Sequence, residues 1–351
     1  MERAQNHRLW SFAGPKILKL VPAAWRGPLA AFGRGLYPQV ARREVLRMPE
    51  PDIDTPLVSR LIAAQFPRWA GLPITGVPSA GTDNAIYRLG DDMAVRLPRR
   101  PWVAATLTKE QDWLPRLAPF LPLAVPVPLA PGTPAQGFPF PWGVYQWIDG
   151  SNAADEPDID LPDAAARLGR FVAALERIDT TGGPPSFRGG PVSMLDDRVR
   201  GEIRDLGADG TLDPGLATAA WETALAAPEW DGEPVWVHAD LSPLNLLVRH
   251  RRLTAVIDFG GLGLGDPAID MLPAWEWLTA QTRGLFRAET RADDATWARG
   301  RGWGLGLGLG AAHFYRDTNP ALAAIGRHAI SEALADYRRT RHAVEPMVHW
   351  L

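Results

Sequence analysis

Between residues 235 and 257 the chain carries three short runs of strand-forming residues, Val235-Trp236-Val237, Leu246-Leu247-Val248 and Ala255-Val256-Ile257. Runs this short and this apolar read as buried strands, because a helix needs a longer periodic stretch. The first two are joined by a polar loop from His238 to Asn245, and the last two by the basic turn His250-Arg251-Arg252. The chain can satisfy such a pattern only by burying the strands and presenting the polar loop from their ends. On both sides the apolar spacing is helical; Leu168, Phe171, Val172 and Leu175 share one side of a helix predicted over 164–178. A β-loop-β unit inside a mainly helical region is therefore expected.

The earlier part of the chain reads differently. From Thr55, a residue able to cap a first turn, apolar residues recur at helical spacing. Ala85–Leu89 and Met93–Leu97 flank Gly90-Asp91-Asp92 and predict a β-hairpin. A helix follows from Trp102 to Leu117, with a kink or break expected at Pro115. Pro126, Pro128, Pro131 and Pro134 predict an extended connection, and Gly143–Ile148 another strand. The repeated Gly-Leu run from Gly304 to Gly310 fails the dinucleotide fingerprint in spacing and context, and is expected to be a closely packed helix surface.

Composition narrows the chemistry. The 351 residues allow two or three domains, or two lobes around a cleft. Lysine plus arginine number 37 against 40 acidic residues, a net charge of −3 that leaves no footprint for bulk nucleic-acid binding. There is no cysteine, which removes disulfides, thiolate metal sites and thiol nucleophiles. Only Lys16, Lys19 and Lys109 are lysines, so amine chemistry has few candidates. The apolar stretches are interrupted before the ~20 residues of a membrane span. The basic residues 1–47 lack the pattern of a secretory leader and read as an extra arm, membrane-surface attachment and a natural start at Met48 being the alternatives. A serine hydrolase is excluded because Val77 stands where G-x-S-x-G needs glycine before Ser79-Ala80-Gly81.

The loop reads His238-Ala239-Asp240-Leu241-Ser242-Pro243-Leu244-Asn245, and Asp258-Phe259-Gly260 follows the third run. Phosphoryl transfer needs a carboxylate beside the acceptor hydroxyl and separate oxygens that hold Mg²⁺ on the nucleotide phosphates. The pattern assigns Asp240 to the hydroxyl proton, Asn245 and Asp258 to the metal, and to His238 a bracing part in the catalytic loop. This run resembles the catalytic core of the aminoglycoside phosphotransferase family, which is similar to protein kinases and includes antibiotic, choline and other small-molecule kinases. The resemblance extends through Gly265-Asp266-Pro267-Ala268-Ile269-Asp270, with no A-P-E segment, and covers about residues 50–345.

The resemblance implies an α+β, bilobal, protein-kinase-like fold with a small β-rich N-lobe and a larger, mainly helical C-lobe. It divides the chain into a basic extension (1–48), a nucleotide-binding N-lobe (49–150) and a C-lobe with the catalytic loop and substrate-binding helices (151–351). The protein-kinase glycine-rich loop is missing; Ser79, Thr82 and Asn84 stand in its place before the hairpin. Arg96 replaces the phosphate-bridging lysine, with Glu110 as its helix partner, and Lys109 cannot substitute. Gln146, Trp147 and Ile148 match the hinge whose backbone reads adenine, Trp142 and Trp147 having packing as their other reading. Asp270 and Glu276 are placed with the substrate, Asp266 and Asp270 also with bracing the next helix, and the acids of 155–160 are candidates for attracting a cation. Trp275, Trp277, Trp297 and Trp303 suit either a substrate wall or the core.

The expected function is a cytoplasmic small-molecule kinase moving the γ-phosphate of ATP or GTP, with Mg²⁺, to a hydroxyl. An aminoglycoside-type antibiotic is the first acceptor, with a macrolide, choline or homoserine as alternatives. A catalytically silent nucleotide-binding protein of the same fold is the competing class. Neither nucleic acid nor a membrane span is expected, and the oligomeric state is open.

Overall fold

A computed structural model describes residues 50–78 and 83–344. Ser79, Thr82, the basic arm and Met48 lie outside the described residues. The chain forms two compact units. One comprises the described residues up to Arg116 together with Pro126–Ile148; the other comprises Leu117–Val125 and the described residues from Asp149 onward.

The first unit is built on a five-stranded antiparallel sheet in the order β1-β2-β3-β5-β4. Its strands are β1 (Ile74–Gly76), β2 (Asn84–Leu89), β3 (Met93–Pro98), β4 (Pro128–Gly132) and β5 (Trp142–Gln146). The hairpin is β2 and β3, paired from Asn84↔Pro98 to Leu89↔Met93. Its turn places Gly90 at φ +62°, a conformation glycine adopts without strain. The proline-rich connection is a strand after all, at the sheet edge, where Pro128 and Pro131 need no ladder donor on the open side. Helix α1 (Thr55–Gln65) begins one residue earlier than expected: Asp54, not Thr55, is the cap, its carboxylate accepting from the Leu57 N–H at 2.7 Å. Leu57, Val58, Leu61 and Ile62 of α1 join Leu89, Val95, Leu97, Trp142 and Val144 in one core. Helix α2 (Pro101–Leu117) runs through Pro115 rather than ending there. The ring sits in the last turn, where fewer helical bonds depend on it.

The second unit carries the predicted strands as β7 (Val235–Val237), β8 (Leu246–Arg249) and β9 (Arg252–Val256). Two further pieces escaped the sequence: β6 (Ser151–Asn152) pairs with β8, and β10 (Gly263–Gly265) pairs with β7. The β8–β9 turn puts His250 and Arg251 at φ +52° and +63°, the mirror-image geometry of a tight hairpin without its usual glycine. Around these strands lie α3 (Leu161–Leu175), α4 (Asp196–Ala208), α5 (Pro214–Leu225), α6 (Pro273–Glu276), α7 (Arg283–Thr290), α8 (Asp294–Phe314) and α9 (Pro320–Val344). Trp275, Trp297 and Trp303 are buried, and Trp275 and Trp297 pack ring to ring at 4.8 Å. They belong to the core rather than to a substrate wall. Among the described residues no helix is long and apolar enough to cross a membrane.

The Gly-Leu run is the contact face of α8, as its composition suggests. It packs against α9, α4 and α5, and a methyl group at Gly308 would lie 3.0 Å from Ala329 Cβ. Opposite it, a methyl at Gly326 would fall 2.7 Å from Ala312 N and from Gly308 O. Alanine there would gain about 1 kcal/mol in helix propensity. The overlap is with backbone that cannot rotate away, and overpacking costs about 1–3 kcal/mol. Gly326→Ala should therefore be destabilised in urea titrations; a variant as stable as the parent would show that α8 and α9 do not pack this closely.

Candidate active site

In the first unit Arg96 lies on β3, all of whose residues are buried, and Glu110 lies on α2. Arg96 Nη1 donates to Glu110 Oε2 at 2.6 Å and to Oε1 at 2.9 Å, and the Glu110 side chain is fully buried. The guanidinium also stacks 5.1 Å from the Tyr145 ring. A buried carboxylate is tolerated here because its charge is met at both oxygens. Burial pushes the neighbouring Lys109 down to about 8, against the pull of Glu110.

Asn84 opens β2 opposite Pro98. Of the expected hinge residues, Gln146 closes β5, and Trp147 and Ile148 follow it. The Gln146 N–H bonds to Val127 O and the Trp147 N–H to Asp92 O, both at 2.8 Å. Neither amide is left to read an adenine edge. Trp142 is wholly buried and donates to Thr133 O, which makes it a packing residue. The Trp147 ring is covered by Arg88, 4.6 Å from its centroid.

In the second unit the loop after β7 is held by charged and polar partners. Asp270 is fully buried and uses both carboxylate oxygens on main chain, accepting from His238 N and from Ala239 N at 2.7 Å each. Ala239 has φ +65°, a left-handed conformation that costs a residue with a side chain about 1–3 kcal/mol unless neighbours fix it. The assignment of Asp270 to substrate binding is therefore corrected: it braces the loop from behind. Burial pushes its carboxyl up to about 7, partly offset by the two N–H bonds.

His238 is equally enclosed. Its Nε2 donates to Ile257 O at 3.1 Å while Nδ1 accepts from Asp240 N at 3.2 Å, which defines the neutral Nε2–H tautomer. Burial lowers the pKa of the ring further, and Phe259 packs edge-on at 4.5 Å. Both nitrogens are engaged, so His238 is a positioning group rather than a catalytic one.

Asp240 stands at the front of the loop with its side chain 39% exposed. Asn245 Nδ2 donates to Asp240 O at 2.9 Å and to Asp240 Oδ2 at 3.3 Å. With that nitrogen turned toward Asp240, the Asn245 amide oxygen is the atom left for a cation. Asn245 O accepts from Ile257 N at 2.8 Å, tying the loop to the residue before Asp258. Asp258 itself sits at φ +62° and ψ +69°, again left-handed, ahead of the single turn Phe259–Gly261. Among the described residues no three His, Cys, Asp or Glu side chains are placed to hold a metal by themselves.

Two residues that the sequence left unassigned complete this region. Arg188 donates to Ala239 O at 3.1 Å and forms an ion pair with Asp240 Oδ1. Glu176, at the end of α3, lies in the field of Asp270 and is pushed up to about 8, chiefly by burial. Glu276, at the end of α6, is also pushed up to about 8, by burial and by the negative charge of Asp240, with Arg188 opposing. Asp266 caps the turn at Ala268 and is gripped by Arg299 through Nε at 2.7 Å and Nη2 at 3.0 Å, a structural pair. Asp160 is the cap of α3, accepting from Asp163 N.

The raised Glu176 gives a pH-dependent stability. Its folded value lies above the ordinary 4.5, so between about 4.5 and 8 the folded protein holds a proton that the unfolded chain releases. Stability from this group is present at low pH and is lost as pH rises through that window. Glu176→Gln keeps the shape without the charge. It should flatten the fall in urea midpoint between pH 6 and pH 9 and gain on the order of 2 kcal/mol at the upper end, discounted for partial solvent access. Parallel wild-type and variant curves would contradict this.

A β-sheet unit in which a strand arginine pairs with a helix glutamate, and a mainly helical unit with a strand-loop-strand motif, define a protein-kinase-like fold. The model of the phosphotransferase enzyme family APH matches residues 75–303, and the chain belongs to that family. Among solved structures it is similar to the GDP complex of aminoglycoside 2'-phosphotransferase-IIIa, with a TM-score of 0.63 and 20% identity over 81% of this chain and 100% of that one. It is similar to the GDP and kanamycin complex of an APH(2'') enzyme, with a TM-score of 0.61 and 20% identity over 80% and 98% of the two chains. Apo macrolide 2'-phosphotransferase MphH from Brachybacterium faecium aligns with a TM-score of 0.53 and 24% identity, over 79% and 98%. No curated protein matches the chain.

Proposed function

We propose that this phosphotransferase moves the γ-phosphoryl group of ATP or GTP to a hydroxyl of a small molecule, with an aminoglycoside-type antibiotic as the first acceptor to test. The observation that carries the reading is the Asp240 carboxylate: it is partly exposed, gripped at one oxygen by Arg188 and approached at the other by Asn245 Nδ2. A carboxylate fixed in this way is suited to accept or orient a hydroxyl proton. Asn245 Oδ1 and the Asp258 carboxylate are hard oxygen donors, the type and number that Mg²⁺ takes from protein when phosphates supply the rest. When bound, Mg²⁺ neutralises charge on the phosphates. Arg96, set by Glu110, supplies a permanent cation for phosphate oxygens.

Glu276 adds an acceptor-side feature. Held protonated near neutral pH by burial and by Asp240, it would ionise beside an amine of a cationic acceptor. The kanamycin complex among the similar structures is consistent with such an acceptor, and the macrolide enzyme keeps a larger, less charged alcohol in the panel. Nucleotide use is supported in the same way by the GDP complexes. The test is a screen of purified protein with Mg²⁺ and ATP or GTP against aminoglycosides, macrolides and amino alcohols. Product is scored by mass as acceptor plus one HPO₃. A phosphorylated acceptor is expected; nucleotide binding without product across the panel would favour a silent nucleotide-binding protein.

A further inference from the structure

Arg188 lies in none of the motifs that mark the catalytic loop, yet it touches that loop at two points. Its Nη1 donates to the carbonyl of Ala239 and pairs with Asp240 Oδ1. Asp270 binds the N–H of the same Ala239, so the strained residue is held at its amide by one charged group and at its carbonyl by another. Asp240 follows directly in the chain, and its Oδ1 is held by the same guanidinium.

The segment carrying Arg188 is itself fastened to the stretch after Asp258. Ser186, fully buried, donates through Oγ to Gly261 O at 2.9 Å and accepts from Arg188 N at 3.3 Å. Ser186 N bonds to Leu264 O, and Asp266 N to Gly189 O, each at 2.9 Å. A methyl at Gly263 would lie 2.5 Å from Ser186 N, which is why this strand is built from glycine. The guanidinium rests 5.1 Å from the Phe187 ring, a further restraint on its direction. The same short segment is thus bonded to the strand that follows Asp258 and, through Arg188, to the loop that carries Asp240.

We propose that Arg188 is the positioning residue for phosphoryl transfer, fixing the Asp240 carboxylate toward the acceptor through its joint grip on Ala239 O and Asp240 Oδ1. The proposal rests on the kinase reading above. In that reaction the acceptor oxygen forms the new O–P bond as its proton passes to Asp240. The bond from the γ-phosphorus to the β,γ-bridging oxygen breaks and nucleoside diphosphate leaves. Arg188 exchanges no proton and acts through Asp240.

The test measures turnover of ATP or GTP in the presence of Mg²⁺, using kanamycin and then water as acceptor, in wild type, Arg188→Lys, Arg188→Ala and Asp240→Asn. Arg188→Ala should lose about 100-fold in kcat with nucleotide KM within about threefold, Arg188→Lys should lie between, and added guanidinium should restore part of the Arg188→Ala rate. A merely structural loss would not be rescued by guanidinium. A kcat within about threefold of wild type, or a loss confined to KM, overturns the proposal. An Asp240→Asn enzyme as fast as wild type overturns the kinase reading instead. If wild type turns over neither acceptor, crystal structures decide: an Asp240 carboxylate displaced in Arg188→Ala supports the clamp, and one that keeps its place refutes it.

Discussion

Asp240→Asn is expected to reduce phosphoryl transfer by about 10²–10⁴-fold while nucleotide affinity stays close to wild type. The substitution is nearly isosteric, and the amide oxygen can still accept from Arg188, so the loop keeps its main partners. What is lost is the negative charge and the capacity to take a proton. Because Asp240 is 39% exposed and makes no contact that holds a helix or sheet together, melting should change little. Initial rates with the acceptor found in the screen, beside nucleotide binding by calorimetry, separate the outcomes. A variant that binds nucleotide and transfers at the parental rate would remove Asp240 from the chemistry.

The second large effect is expected from Asp270→Ala, and it differs in kind. Asp270 has no route to an acceptor; it answers two buried N–H groups at 2.7 Å. Removing it leaves both donors unpaired at about 1–3 kcal/mol each, and a cavity where the carboxylate stood. It also frees Ala239 to relax from φ +65°. A total loss of about 3–5 kcal/mol is expected in denaturant unfolding, along with most of the activity, because Asp240 follows Ala239. The two substitutions thus predict opposite signatures: activity lost on an intact fold, and activity lost with stability. Asp270→Ala melting as the parent does would show that the loop is held by something other than this carboxylate.

Much of this architecture was legible because its signals are local. Tight spacing within 238–245 and 258–260 marked the loop and the Asp258-Phe259-Gly260 run as one motif, and fourteen residues separate Arg96 from Glu110. The helix packing of Gly304–Gly310 followed from residue size alone. Long-range partnerships were not legible in the same way. Arg188 lies 52 residues from Asp240 in an arginine-rich chain, and nothing in its neighbourhood distinguishes it. Asp270 was expected near substrate because its motif is read forward along the chain, whereas its partners lie 31 and 32 residues back. Strands β1, β6 and β10 are two or three residues long and, unlike the Val-Trp-Val of β7, include glycine or polar residues that give no strand signal. In β10 the two glycines are there because backbone passes against them, a tertiary cause with no local pattern. The one-residue error at Thr55 has a simpler origin, since Asp54 and Thr55 both suit a cap and geometry chose the carboxylate.

The proposed reaction requires a proton acceptor at Asp240 beside a divalent ion shared by Asn245 and Asp258. Anomalous diffraction from crystals grown with Mn²⁺ and a non-hydrolysable ATP or GTP analogue reads it most directly. The predicted result is an ion bound by Asn245 Oδ1, the Asp258 carboxylate and phosphate oxygens, with Asp240 facing the γ-phosphoryl without binding the ion. An ion bound away from Asn245 and Asp258, with nucleotide present, would contradict it.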